Sequence, residues 1–202
     1  MVIPDQQKTD LTETRRNFYI FLSRIFWKEL KVEDLDSFEK SQLTITFRSL
    51  GYTLPEIDRS SAALDVLATE YCRLFIGPGK HVSPHESIHR QGIDNSRLWG
   101  EIASQVKGLY QQYGLEMRDE CDLMPDHISL EFEFMGRLIA EQIQTSDPKW
   151  YDLQKHFFDQ HLNRWVPDFC RKVMKRAEHE FYGIIAQITR DFIEFEQEQF
   201  SI

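Results

Sequence analysis

Apolar residues in this chain recur at intervals of three and four almost from its beginning. Phe18, Phe21, Leu22, Ile25 and Phe26 fall on one face of a helix, and Asp10 followed by Glu13 has the spacing of a capping box at its start. Leu35 and Phe38, with Leu50 beyond them, predict a weaker helix that Gly51 and Pro55 break. Leu64, Leu67, Tyr71, Leu74 and Phe75 then share one side of a segment from about Ser60 to Ile76, which Gly77-Pro78-Gly79 stops. From Gly77 to about Asp94 no period holds, and Pro84 and Gly92 punctuate the run. A stretch of that length without periodicity inside a compact domain is usually functional.

Helical spacing returns with Leu98, Ile102, Val106 and Leu109 and ends at Gly114. Ile128, Phe132, Met135, Leu138, Ile139 and Ile143 mark the inner face of a further helix whose first turn is expected to hold Pro125. Helices over about Pro148–Leu162, Pro167–Ala177 and Phe181–Glu198 complete the series. No alternating strand runs or hairpin dipeptides interrupt it. The expected fold is therefore all-α, a single-domain bundle of about seven or eight helices over residues 1–202 with a functional loop near 77–95. Glu194, Glu196 and Glu198 stand at the unfavourable end of a helix dipole, which predicts a frayed C-terminus. Glu131 and Glu133 are two apart on one helix and cannot both face inward, so at least one is expected at the surface.

Composition narrows the function classes. With 41% apolar residues among 202, the chain can bury a sizeable core, and a net charge of −9 weighs against nucleic-acid binding while favouring a cationic partner. Cys72, Cys121 and Cys170 are odd in number and widely spaced, the pattern of reduced thiols rather than of a disulfide or zinc framework. No apolar run approaches the roughly 20 residues that span a bilayer, so the chain is expected to be soluble. Thr14-Arg15-Arg16-Asn17-Phe18 has the look of a twin-arginine export signal, but Arg24, Lys28 and Glu29 interrupt the apolar stretch such a signal requires. The two arginines read as solvated residues in the first turns of a helix.

His85-Glu86-Ser87-Ile88-His89 is a literal H-E-x-x-H, the spacing that places two imidazoles on one helical face for zinc with a glutamate as base. Pro84 and Gly92 leave no room for the long helix that motif needs, and Asn95 is a poor third ligand. The segment is expected to be a loop, with His81, His85 and His89 offering at most weak adventitious metal binding. A zinc hydrolase using His85, His89 and Glu86 stays open as an alternative.

Several short segments resemble the TorD/DmsD family of cytoplasmic chaperones. Arg73-Leu74-Phe75-Ile76-Gly77-Pro78 matches its R-L-F-x-G-P, and Ser83-Pro84-His85-Glu86-Ser87 matches its P-P-x-x-S, with Ser83 for the first proline and His85 where several relatives have tryptophan. Leu98-Trp99-Gly100, Asp126-His127 and the H-x-x-x-W of His161 and Trp165 complete the likeness, which runs from the first helix to Phe181. Leu123-Met124-Pro125 precedes the Asp-His pair where the family has Glu-Pro-x. The resemblance implies a cytoplasmic, non-enzymatic chaperone without a cofactor, as a monomer or domain-swapped dimer. Its partners would be the twin-arginine signal peptide and the apo form of a molybdoenzyme catalytic subunit, held until the molybdopterin cofactor is inserted. It further implies a peptide groove of Tyr71, Phe75, His85, Trp99, Gly100, Asp126 and His127, supported by Leu74, Gly77, Pro78, Pro125, His161 and Trp165.

Elementary chemistry supports Asp126 independently. A carboxylate in a helix's first turn is favoured by the dipole and can accept a charge-assisted bond from an arginine, and His127 can add a donor or change charge near neutrality. Local capping with a satisfied histidine explains the same pair without any ligand. A helical adaptor for some basic protein, with no role in export, also remains open.

Overall fold

A helix forms wherever the sequence carries an apolar stripe, but several begin and end elsewhere than the local signals suggest. The computed structural model describes residues 5–90, 100–115 and 122–201. Helix α1 (Asp5–Trp27) starts ahead of Asp10, so Asp10 and Glu13 lie within it and form no cap. Once nucleated, a helix extends through polar residues without needing an apolar face. The expected stripe is buried, from Phe18 at 5% exposure to Leu22 and Ile25 at 0%. Arg15 is buried too rather than solvated, its guanidinium donating to Gln154 Oε1 at 3.4 Å.

The weak second stripe divides into α2 (Val32–Lys40) and α3 (Gln42–Ser49), because Ser41 is extended between them. Gly51, at φ +86°, then takes a left-handed turn that suits a residue without Cβ. Ser60 caps α4 (Ser61–Tyr71) by accepting from the Ala63 amide at 3.3 Å. From Cys72 to Ile76 the chain widens into a π-helical turn, closed by the Gly77 amide on Cys72 O at 2.6 Å. A Cβ at Gly77 would lie 3.2 Å from that same oxygen.

Among the described residues of the expected loop, which leave out 91–95, there is one short helix, α5 (Glu86–His89). After it come α6 (Glu101–Gln112) and α7 (Ile128–Thr145), the latter ended by left-handed Ser146. Pro125 stands in the turn before α7, not in its first turn, and is buried there. Next are α8 (Lys149–Phe157), a second π-turn (Phe158–Leu162) and α9 (Asn163–Arg176). The break expected at Pro167 thus falls at the π-turn, and Pro167 lies inside α9, near enough to its start that one backbone bond is forgone. Helix α10 (Glu180–Ser201) shows no early end: Ile193 and Phe200 are buried and Glu196 is fully buried. A dipole penalty below about 1 kcal/mol is outweighed by burying an apolar side chain, worth about 1.5–3 kcal/mol.

These helices gather into two compact units, one from residues 1–23 and 84–166, the other from 24–83 and 167–202. In the first, Tyr110 of α6, Phe134 of α7 and Phe157 of α8 pack in sequence, the first pair tilted and the second edge to face, each pair of centroids 4.8 Å apart. Gly136 lets α7 approach α1, since a Cβ there would come within 2.7 Å of Ile20 Cδ1. In the second, Phe26, Phe75, Phe169 and Tyr182 form an aromatic cluster with centroids 5.5 to 5.9 Å apart. All regular secondary structure among the described residues is helical, with a single isolated bridge between His85 and His127. No described helix is long and apolar enough to cross a membrane.

Candidate functional site

That bridge joins two segments singled out by the sequence. The Glu86 amide donates to Asp126 O at 3.0 Å and the Ile128 amide to Pro84 O at 2.9 Å, which makes His85 and His127 the closely spaced, non-hydrogen-bonded pair of an antiparallel bridge. Their rings meet edge to face with centroids 5.0 Å apart. Asp126 precedes α7 instead of occupying its first turn, and its carboxylate reaches across the bridge, where Oδ2 accepts from the Ser87 amide at 3.0 Å. It therefore caps α5, an element the sequence did not predict. The N-cap of α7 is His127, whose Nδ1 accepts from the Ser129 amide at 3.2 Å. That acceptor role requires a bare Nδ1. Burial, and then the neighbouring His85, push the His127 pKa down to about 3, which keeps the ring neutral.

Asp126 has no exposed surface, yet among the described residues its Oδ1 has no hydrogen-bond partner, and neither does the adjacent Ser87 hydroxyl. An orphaned buried carboxylate oxygen costs free energy on the order of 1–3 kcal/mol and calls for a donor.

Beneath the bridge lies a network that the sequence did not reveal. Glu86 is fully buried between His161, whose Nδ1 is 2.8 Å from Oε2, and Arg90, whose Nη1 donates to Oε1 at 3.0 Å. The second π-turn carries His161 and stacks its ring on Phe157 with centroids 4.8 Å apart. Trp165 donates its indole N–H to Glu131 Oε2 at 3.0 Å, while the Tyr110 hydroxyl donates to Pro125 O at 2.9 Å. Burial and then the Glu86 carboxylate raise the Glu131 pKa well above the ordinary carboxyl range. The same burial, with the carboxylates of Glu131 and Asp126, raises Tyr110. As anticipated for the pair, Glu133 is half-buried at the surface, bound to Arg137 at 2.8 Å, and Glu131 is the inward one. The clue to Glu131 was its position three residues after Ile128 on the apolar stripe, where a carboxylate must find a partner.

The H-E-x-x-H segment forms one helical turn rather than the expected loop, but each of its groups faces a different neighbour. His85 meets His127, Glu86 is held by His161 and Arg90, and His89 packs on Trp165 at 5.2 Å. Among the described residues no three His, Cys, Asp or Glu side chains are placed to share a metal.

The first unit thus brings together His85, Pro125, Asp126, His127, His161 and Trp165. Gly100 is in the same unit, half-buried as the N-cap of α6, with its carbonyl accepting from the Ser104 amide at 3.2 Å. Trp99 lies outside the described residues. Tyr71, Leu74 and Phe75 belong to the core of the second unit, at 2%, 1% and 4% exposure, and the Tyr71 hydroxyl donates to Phe26 O at 2.9 Å. Gly77 closes the first π-turn and exposed Pro78 follows it.

A protein-family model described as the nitrate reductase delta subunit matches residues 41–171. The chaperone protein TorD of Aliivibrio salmonicida is 27% identical over 203 residues, covering 91% of this chain and 93% of the relative. The TorD chaperone of Vibrio cholerae is 26% identical over 209 residues, covering 94% and 93%. Among solved structures, a redox enzyme maturation protein from Archaeoglobus fulgidus superposes with a TM-score of 0.57 at 22% identity, covering 89% of this chain and 93% of that one. At that identity the likeness is one of fold.

Proposed function

From the premise that this chain belongs to the TorD family of molybdoenzyme maturation chaperones, we propose that it binds the twin-arginine signal peptide of a molybdopterin-dependent oxidoreductase in the cytoplasm and holds it until the cofactor has been inserted. Binding delays export of an incomplete enzyme. The observation that carries this reading is Asp126: a fully buried carboxylate with one oxygen already used as a cap and the other, Oδ1, lacking a donor among the described residues. A guanidinium or peptide N–H of the client is the complementary group, and a charge-assisted bond is about twice as strong as a neutral one. His127, neutral and fixed by Ser129, presents its other ring nitrogen as the second polar group of the site. His85 completes the rim, and the Glu86–His161 and Glu131–Trp165 pairs hold it from below.

Asp126→Asn tests this directly, because an asparagine oxygen can still accept from the Ser87 amide and preserve the cap. Binding of a cognate twin-arginine peptide is expected to weaken by about 1 to 3 kcal/mol, with helical content and melting temperature nearly unchanged. Replacing the peptide's arginines by glutamine then costs the variant less than the wild type, as coupling between partners requires. If the variant unfolds while its folded fraction binds normally, Asp126 is a cap alone and the reading fails.

A further inference from the structure

Building on that function, we propose that the client segment docks as an extended strand on the Asp126–Ile128 edge, in the place now taken by the chain's own Pro84–Glu86. Asp126 O and Ile128 N are an acceptor and a donor two residues apart on one edge, which is what a strand presents to a partner strand. They are satisfied by Glu86 N and Pro84 O. This is an internal occupant of an edge that an added strand fits, and strand addition is a recurrent mode of peptide capture.

The closed arrangement and recognition by Asp126 exclude each other. Asp126 is 0% exposed, so no client donor reaches Oδ1 in the closed arrangement, in which both Oδ1 and Ser87 Oγ lack partners among the described residues. The cover is held to the edge by three backbone-donated bonds: Glu86 N to Asp126 O, Ile128 N to Pro84 O, and Ser87 N to Asp126 Oδ2. An incoming extended segment replaces the first two in kind and adds a donor for the orphaned oxygen. The edge itself stays in position, because the Tyr110 hydroxyl holds Pro125 O and the His127 amide holds Met124 O. On the opposite side the Glu86 carboxylate, gripped by His161 and Arg90, tethers the displaced segment so that it can return. The occupant this edge selects is an extended peptide with a cationic donor beside a free backbone N–H and C=O.

The non-hydrogen-bonded pair supplies the test. In a protein with Cys72, Cys121 and Cys170 replaced by alanine, His85→Cys with His127→Cys places two thiols across the bridge at a separation suited to a disulfide. The reduced and oxidised forms are titrated with a fluorescein-labelled peptide carrying an arginine pair followed by an apolar stretch. Oxidation is expected to lower affinity at least about tenfold relative to the reduced form of the same variant, a comparison that cancels the loss of the histidines themselves. Equal affinity in both forms overturns strand exchange while leaving the function intact. If the wild type binds no such peptide, the proposed function falls first and the exchange with it. Amide exchange on the wild type covers a variant that does not fold: on adding peptide, the Glu86 amide loses protection and the Ile128 amide keeps it. An unchanged Glu86 amide overturns the proposal.

Discussion

His127 and Glu131 lie close in sequence but shift stability in opposite directions with pH. Burial lowers the His127 pKa from its ordinary 6.5 to about 3, so in that interval the unfolded chain takes up a proton that the folded one refuses. Its stabilising contribution is intact above the unfolded value and declines as pH falls toward the folded one, at up to about 1.4 kcal/mol per pH unit. Glu131 is raised by burial and by Glu86, so its contribution is complete below the ordinary carboxyl value and declines as pH rises toward its folded pKa. His127→Asn retains an acceptor for the Ser129 amide and is expected to flatten the acid decline between about pH 6.5 and about pH 4. Glu131→Gln retains an acceptor for the Trp165 indole and is expected to flatten the decline that sets in as pH rises above the ordinary carboxyl range. Urea unfolding of both variants across pH measures these slopes, and an unaltered slope assigns the titration to another group.

Among the elements, the two π-turns do what a continued α-helix would not. The first ends the helical run of α4, and the second lies between α8 and α9, where the wider turn re-aims the side chains beyond it. The first includes Phe75 of the aromatic cluster and buried Leu74, and the second carries His161 to Glu86. Just ahead of the first, Glu70 caps the turn that leads into α10: its carboxylate accepts from the Glu178 and His179 amides at 2.7 and 3.1 Å and from Arg73 Nε at 2.7 Å. Glu70 is 6% exposed, so truncation leaves several donors without an acceptor. Glu70→Ala is expected to destabilise the protein by about 2 to 4 kcal/mol, and Glu70→Gln by less, in chemical denaturation. Equal losses in the two variants would rule out the capping bonds as the cause.

For the molecule as a whole, the charge of −9 favours a cationic partner at long range, but the site itself is buried, with Asp126, Glu86 and Glu131 all at 0% exposure. Exposed charges are screened beyond about 10 Å at 0.1 M salt, whereas buried pairs are not. Raising salt from about 20 to about 300 mM is therefore expected to weaken binding of a twin-arginine peptide several-fold, chiefly by slowing association. Titration and stopped-flow mixing at the two salt levels check this; a complete loss of binding at the higher salt would contradict a site in which burial contributes much of the affinity.

What the sequence determined by itself was the helical class and the faces that are buried, because both arise from a local period: Phe18 to Phe26 in α1 and Ile128 to Ile139 in α7 lie where their spacing puts them. It also located the Asp126-His127 pair and the His161 and Trp165 signature, through short motifs. Helix ends and side-chain partners were decided elsewhere. Asp126 looked like the cap of its own helix, yet it caps α5 from across a bridge that joins residues about forty apart. Glu86 looked like a zinc-site base, yet it is the buried partner of His161, 75 residues away. Arg15 looked solvated and Glu196 looked part of a frayed helix end, and tertiary contacts bury both. Local propensities fix a helix's face to within a turn, but the partner of a buried charge is chosen by whichever distant segment packs over it, since a charge removed from water must be met by some group and the chain offers many.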